Sequence, residues 1–509
     1  MIAYIYTASF VIAAVGLVGW FLFQKTKIGS KASILFFGGM LAYLASLFLA
    51  PMLMPMKVMV LARDFTVLAG VGFLFSFFKY NRIIAAGAVV VLSMAFGMFY
   101  LELLQDTIPN RRLLTIENDS NAEILIEVKE GAEIGQIQTI IDKYNLTYER
   151  AFSNLTSPEI TDLDDYYTIN IPDNQLTNID EIKNALRETA TVEYLENNEI
   201  VQLDDSEGGI QKSAKKLIPN DEFIQNQWGF DLTASGELHA FLKAKNIQPK
   251  KRALIAILDT GVDAQHEDLK ENFKSINARH DTDKQAHGTH CAGIAAAVSY
   301  NNKGIASVIS DNQFVQVTSV KVLNDYGRGT QQGIIKGILE AADNGADVIS
   351  MSLGGPSSDS RQRAYAKAFE YARKKGAIVI AAAGNSSDNA KNFVPASVKG
   401  VIAVSAVDNQ LNKAVFSNTV NDVKMGIAAP GVDIFSTIPD NRYASFNGTS
   451  MACPHVAGLV GLMKSLEPDL TTQAAYDILN NTGIDTEMTK MTGKFIQADK
   501  AIKAVYGGR

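Results

Sequence analysis

The spacing of apolar and polar residues changes character twice along the chain. Uncharged, largely apolar stretches run from Met1 to Gln24, Ala32 to Met56, Phe65 to Phe78 and Ile83 to Leu101. Crossing a bilayer takes about 20 such residues, so the first, second and fourth are long enough. The third reaches that length only by starting near Val58 and carrying Arg63 and Asp64 near one end, where the pair can snorkel to the interface or bond within a bundle. Soluble helices are rarely apolar all round four times in succession. Residues 1–105 are therefore expected to form a transmembrane region of four helices. A secretory leader fits the first stretch poorly, because it has no basic flank and outruns the usual apolar core of about 7–15 residues.

From Glu123 the pattern becomes short and mixed. Ile124–Val128, Tyr166–Ile171, 191–195 and 200–203 read as strands. Ile134–Tyr144 and Ile179–Arg187 carry helical periodicity, the first through Ile134, Ile137, Ile140 and Ile141. Together they predict a small α+β domain over 119–205. A polar linker with a Gly pair and a late proline follows over 206–220, a favoured kind of site for proteolysis. Beyond it, 253–258, 347–352, 377–383 and 401–406 are near-continuous apolar runs separated by helical segments. That alternation predicts a parallel sheet covered by helices on both faces.

Charge sharpens these boundaries. The 509 residues carry a formal net charge of −7, with two cysteines and six histidines. The composition excludes a disordered chain, a disulfide scaffold and a globally basic nucleic-acid binder. Residues 1–112 are net +6, 113–205 are net −16 and 206–509 are net +3. Lys25, Lys27 and Lys31 lie in the first loop of the apolar region and Lys79 and Arg82 in the third, against Lys57 in the second. By the positive-inside rule the first and third loops are cytoplasmic, and everything after residue 105 faces outward.

Candidate chemistry is confined to the last region. Asp259 ends the first apolar run in I-A-I-L-D-T-G, His287 opens H-G-T-H-C-A-G, and Ser450 sits in N-G-T-S-M-A-C-P-H. A hydroxyl, an imidazole to take its proton and a carboxylate to hold the imidazolium are what nucleophilic hydrolysis needs. Polar residues at strand carboxyl ends are also where α/β folds place their sites. His290 lies three residues after His287, but no Glu or Cys completes a helical zinc signature, so no metal site is expected there. His239, His266 and His280 have no motif and are expected at the surface. Cys291 and Cys453 follow the His and Ser on their helices and are expected as small buried positions.

These three motifs, with the fourth segment A-A-A-G-N at 381–385, resemble the signatures of the subtilisin-like serine proteases, in the Asp…His…Ser order of that family. The resemblance covers about residues 220–505. It implies a catalytic domain over 221–509 in which Ser450 attacks a peptide carbonyl, His287 acts as base and then acid, and Asp259 orients the ring. Asn385 and the Ser450 backbone N–H would bind the oxyanion. Gly327 and Gly329, together with Ser352, Leu353 and Gly354, would form the edges along which an extended protein or peptide substrate pairs, and Phe393 would shorten the primary pocket. No cofactor is expected to be required. Structural calcium is known at the loop after the histidine helix in relatives, but 298–304 holds Lys303 and no carboxylate, which argues against a strong site there.

The resemblance extends loosely to 119–205, which is similar to the family's inhibitory propeptide, a ferredoxin-like α+β domain acting as an intramolecular inhibitor. The expectation is a membrane-anchored zymogen of a serine endopeptidase, multi-pass in the lipid bilayer of the cell membrane. Its catalytic domain would lie on the extracytoplasmic side, and linker cleavage would leave it either shed or held by the propeptide. Two other readings are weighed. One is an inactive peptide-binding pseudoprotease; the other is a membrane sensor or transporter with the protease as its output, for which spans without histidine offer little support.

Overall fold

The computed structural model of the chain describes residues 9–10, 12–17, 20, 26–49, 61, 64, 123–198, 200–203, 206–207 and 219–507. The chain divides into two compact units, Met1–Leu114 and Thr115–Arg509.

In the first unit the helix Lys27–Leu49 covers much of the second apolar stretch. Among the described residues it is the one helix long and apolar enough to cross a membrane, over Ser30–Leu47, a test that a soluble core helix or a leader also passes. Ile34, Leu35, Phe37 and Leu41 are exposed on it. The Tyr43 hydroxyl donates to buried Asp64 at 2.9 Å, so this carboxylate is partnered rather than turned to water. The first expected span is described only at scattered positions. The third, apart from Leu61 and Asp64, and the fourth lie outside the described residues. The count of four spans is thus unsupported.

The second unit opens with four antiparallel strands, β1 (Ile124–Val128), β2 (Thr147–Arg150), β3 (Tyr166–Asn170) and β4 (Val192–Asn197), in the order β2-β3-β1-β4. Helices Gln138–Tyr144 and Ile179–Arg187 connect them. Every residue of β1 is buried. Ile124, Ile126 and Val128 join Ile137, Ile141, Ile182 and Leu186 in the domain's own core. On the opposite face Leu125 joins Phe152 and Tyr166 in a cluster shared with the following domain. A period of two places alternate residues on opposite faces, and here both faces are covered.

Two short strands follow, β5 (Ile200–Gln202) and β6 (Ser206–Glu207). The larger domain is built on seven strands: β7 (Ala253–Asp259), β8 (Val315–Lys321), β10 (Val348–Met351), β12 (Ile378–Ala382), β14 (Val401–Val407), β15 (Gly426–Pro430) and β18 (Lys494–Phe495). Their order is β18-β15-β14-β12-β10-β7-β8, and all pairings are parallel. The four strands expected from apolar runs are β7, β10, β12 and β14, adjacent at the centre. Along β7, Ile255 and Ile257 face the helices His287–Ala296 and Thr449–Leu466, while Ala256 and Leu258 face Gln331–Asp343 and Asp359–Lys374. Smaller strands β9 (Arg328–Thr330), β11 (Gly355–Pro356), β13 (Phe393–Val394), β16 (Ile434–Ile438) and β17 (Arg442–Asn447) lie outside this sheet.

The acidic domain docks on the helix Asp359–Lys374 through opposite charge. Glu127, a buried side chain, pairs with Lys367 at 2.5 Å and Arg363 at 3.2 Å, and accepts the Tyr166 hydroxyl at 2.8 Å. Asp162 reaches Lys367 at 2.9 Å, Glu193 reaches Arg363 at 3.0 Å, and that guanidinium lies 3.9 Å from the Tyr194 ring centroid. Gln331 and the Gln332 backbone, at the start of the neighbouring helix, donate to Glu196 and Asn198 at 3.0 and 3.2 Å.

Candidate active site

Asp259 closes β7 and His287 begins its helix, so a strand end and a helix start deliver the two side chains to one point. His287 Nδ1 lies 2.8 and 2.9 Å from the two Asp259 carboxylate oxygens, and both side chains are fully buried. The Thr260 N–H also donates to Asp259, at 2.7 Å. Close packing fixes this approach: a β-carbon on Gly288 would stand 2.1 Å from the Gly261 carbonyl oxygen and 3.0 Å from Asp259 Cβ.

The start of the histidine helix is held by a residue that the motifs did not flag. Buried Asp283 accepts the Thr289 N–H and hydroxyl at 2.9 and 2.7 Å with one oxygen, and the Thr260 hydroxyl at 3.0 Å with the other. Thr260 in turn accepts the Gly288 N–H at 3.0 Å. A carboxylate at a helix N-terminus satisfies orphan donors and complements the dipole. Its only sequence signal is an Asp four residues before the motif.

Ser450 lies in the first turn of the helix Thr449–Leu466, after the hairpin of β16 and β17. Its hydroxyl donates to the Ser352 carbonyl at 3.3 Å, while the Ser352 hydroxyl donates to the Ser450 carbonyl at 2.7 Å. Cys291 Sγ joins the two helices, 3.5 Å from the Ser450 carbonyl and 4.0 Å from His287 Nδ1. Asn385 accepts the Thr449 N–H and hydroxyl at 2.9 and 2.8 Å through Oδ1. That leaves its amide nitrogen beside the Ser450 N–H. A β-carbon on Gly448 would lie 3.5 Å from Asn385 Nδ2 and 3.4 Å from Ser450 N, so both donors border one space.

Asn418, also unflagged by the motifs, builds the Asn385 turn. It is fully buried, donates to the Ala383 carbonyl at 2.9 Å, and accepts the Ser386 and Asp388 N–H groups at 3.0 and 2.9 Å. Its backbone N–H donates to Gly384 at 2.9 Å.

The expected substrate edges are occupied by the chain itself. Strand β5 pairs antiparallel with β9, Val201 opposite Gly329, and the Leu203 N–H donates to the Gly327 carbonyl at 3.2 Å. Gly327 has φ +70, which glycine adopts without strain. A β-carbon on Gly354 would lie 2.9 Å from the Val394 carbonyl, and one on Gly384 would touch Phe393 Cδ1 at 3.8 Å, which sets Phe393 beside the Ala381–Gly384 segment. Leu353 is buried in the same cluster as Val201. On the other side of Ser450, β6 pairs antiparallel with β17, with Ser206 opposite Asn447.

The remaining histidines do not gather at a site. His290 donates from Nε2 to the Ala444 carbonyl, 3.1 Å away, and stacks on Phe446 at 4.3 Å. Burial pushes its pKa down to about 3, that of His455 to about 3 and that of His239 to about 4. His239, His266 and His280 are buried, not at the surface as expected. Each has partners distant in sequence: Tyr300 and Val308 for His239, Arg442 for His266, Lys321 and Glu340 for His280. Cys291 and Cys453 are free and buried, as expected of small core positions. Burial raises both thiols, Cys453 to about 12, which makes them poor nucleophiles.

Asp259, His287 and Cys291 offer three donor atoms within 4.8 Å, but the carboxylate and Nδ1 are bonded to each other, the arrangement of an orienting pair. At the loop after the histidine helix, carboxylates arrive from elsewhere, which a reading of the loop alone missed. Asp221 accepts the Tyr300 N–H at 2.9 Å, and Asp268 accepts the Ile305 N–H at 2.8 Å and the Asn301 amide at 2.7 Å. These oxygens already receive protein donors, a poor fit to a cation needing several free oxygen ligands.

Residues 250–504 match the peptidase S8, or subtilase, family. Subtilisin DY of Bacillus licheniformis is 43% identical over 235 residues, covering 45% of this chain and 82% of that protein. Thermitase of Thermoactinomyces vulgaris is 44% identical over 228 residues, covering 44% and 78%. The thermophilic serine proteinase of Bacillus sp. (strain AK1) is 35% identical over 386 residues, covering 74% and 89%. With an aspartate and a histidine joined beside a helix-borne serine on a parallel sheet, the chain belongs to the subtilase family and is a serine endopeptidase.

Proposed function

We propose that the chain is made as a membrane-anchored zymogen whose peptidase runs on Asp259, His287 and Ser450. The observation that carries the catalytic assignment is the closed Asp259–His287 pair at the base of the helix bearing Ser450. Ser450 Oγ adds to the scissile carbonyl as its proton passes to His287 Nε2, the nitrogen opposite the one held by Asp259. The ionised Asp259 fixes that tautomer and stabilises the imidazolium. Negative charge on the carbonyl oxygen meets Asn385 Nδ2 and the Ser450 N–H at the positive end of a helix dipole. His287 then delivers its proton to the leaving amine, and water hydrolyses the acyl-enzyme by the same route.

Residues 119–205 act as the inhibitor. Three observations support this. The domain has a ferredoxin-like strand order, it docks by charge on the helix Asp359–Lys374, and its tail lies along β9 where substrate would pair. The 386-residue similarity to the AK1 proteinase is too long to fit within 250–504, so it too takes in part of this domain. The apolar outward face of Lys27–Leu49 supports the anchor, and the lysines before it support an outward-facing enzyme. Linker cleavage would then separate enzyme and anchor covalently. The test is a fluorophosphonate probe on membranes. Wild type should label and appear shortened; Ser450→Ala should do neither. Absence of labelling in mature wild type would favour a peptide-binding pseudoprotease, and identical processing in Ser450→Ala would end the self-maturation reading.

A further inference from the structure

Two cations of the peptidase domain have no anion of their own. Arg363 and Lys367 lie four residues apart on the helix Asp359–Lys374, so they share one face. Among the described residues, every carboxylate within ion-pair reach of them belongs to the acidic domain. Arg363 meets Glu127 and Glu193, and Lys367 meets Glu127 and Asp162. Lys374, seven residues further along, donates to the Ile160 carbonyl at 3.0 Å and keeps Glu370 beside it. From Asp359 to Lys375 the chain carries six basic and two acidic residues. Departure of the acidic domain therefore uncovers a cationic face whose two central charges are unpaired.

The face is not cationic alone. Leu125, Phe152 and Tyr166 of the acidic domain share a cluster with Tyr365 and Phe369, so apolar surface is uncovered with the charges. The Arg363 guanidinium lies 3.9 Å from the Tyr194 ring centroid, a cation–π contact. Tyr194 follows Glu193 on β4, and Gln331 Nε2 donates to Glu196 of the same strand at 3.0 Å. Only residues 198 and 199 separate β4 from β5, which pairs with β9 along the expected substrate edge. Glu193 thus precedes Val201, the residue opposite Gly329, by eight positions. Helix face and cleft are successive stations along one chain.

Resting on the zymogen reading above, we propose that in the mature enzyme this face is an exosite for protein substrates. It takes an acidic–aromatic segment lying eight residues ahead of the residue paired with Gly329. A purely anionic partner would satisfy Arg363 and Lys367 but leave the Tyr194 position empty; a Glu-Tyr pair fills both. Binding so far from the reacting carbonyl is the same in ground and transition states, so it lowers KM and leaves kcat alone.

The mature enzyme is isolated after linker cleavage and given two fluorogenic peptides with the same cleavable half. One carries V-E-Y-L-E at the spacing of residues 192–196, the other V-Q-A-L-Q. An exposed ion pair or cation–π contact is worth about two- to fivefold, so kcat/KM should favour the first peptide about tenfold, through KM. Raising salt from about 0.05 to 0.5 M should cut that advantage at least about threefold. Arg363→Gln combined with Lys367→Gln should bring the ratio close to one. A wild-type ratio below about two, or one that salt leaves unchanged, overturns the exosite and leaves the zymogen reading standing. So does a ratio that survives the double substitution. The wild-type measurements decide even where the variant fails to mature. A chain that is never shortened keeps the face covered, and overturns both readings.

Discussion

Replacing Glu127 by glutamine should loosen the acidic domain without touching the peptidase site. The carboxylate is 4% exposed and meets Lys367 and Arg363, which are 15% and 38% exposed. Removing one partner of a fully buried ion pair costs about 3–5 kcal/mol. Here both cations keep part of their water, and Asp162 and Glu193 remain to hold them, so roughly half of that, about 2 kcal/mol, is the expected loss. Glutamine keeps the shape and can still accept the Tyr166 hydroxyl, which confines the change to charge. At about 1.4 kcal/mol per decade, the dissociation constant of the nicked complex should rise about 30-fold. The assay is the onset of fluorogenic-peptide cleavage when nicked protein is diluted through a concentration series. A constant within twofold of wild type refutes the docking argument. A double-mutant cycle with Lys367→Met separates the pair from general disruption, and a coupling below about 0.5 kcal/mol refutes the ion pair even if docking weakens.

Asn385→Leu should lower turnover about 100- to 1,000-fold, the loss known for such a side-chain donor in subtilisin itself, with KM for a peptide nearly unchanged; a raised KM with turnover unchanged would point to binding instead. Asn418→Ala removes the clamp on the Ala383–Asp388 turn and leaves buried groups unpaired. It should therefore cost about 2–3 kcal/mol in stability and a turnover loss smaller than that of Asn385→Leu, measured by urea unfolding and steady-state kinetics. Phe393→Gly should raise kcat/KM at least about tenfold for peptides with phenylalanine before the cut, and a wild-type library profile already dominated by aromatic residues there would sink the shortened pocket. His239, His290 and His455 have folded pKa values near 4, 3 and 3, below the unfolded value. The unfolded state then binds more protons below about pH 6.5. Stability contributed by the three neutral rings should be present above that pH and drain away as pH falls toward 4. Asp268, raised to about 7 by burial, works in the opposite sense over part of that window. A melting temperature that is flat or rising from pH 6.5 to 4 would contradict the excess of histidines.

What could be read from sequence, and what could not, follows the range over which each signal acts. Strands β7, β10, β12 and β14 are buried on both faces, so each leaves an apolar run visible locally. Strand β2 is exposed at all four residues and left no such trace, although it pairs along all of its length with β3. The reacting side chains sit in contiguous motifs, whereas Asp283 and Asn418 act by accepting and donating at backbone groups of loops, which imposes no period and only one required residue each. The buried histidines make the same point: burying a polar ring is costly unless its nitrogens find partners, and each of His239, His266 and His280 has at least one that lies 41 to 176 residues away. Charge misled through averaging. A domain at −16 facing one at +3 suggests weak attraction, yet Arg363, Lys367, Lys374 and Lys375 are gathered along one helix and its end, and each touches the acidic domain. Over a Debye length of about 8–10 Å it is that local cluster, not the net charge, which the acidic domain meets. Docking should accordingly weaken with salt at the exposed pairs while the shielded Glu127 contacts persist.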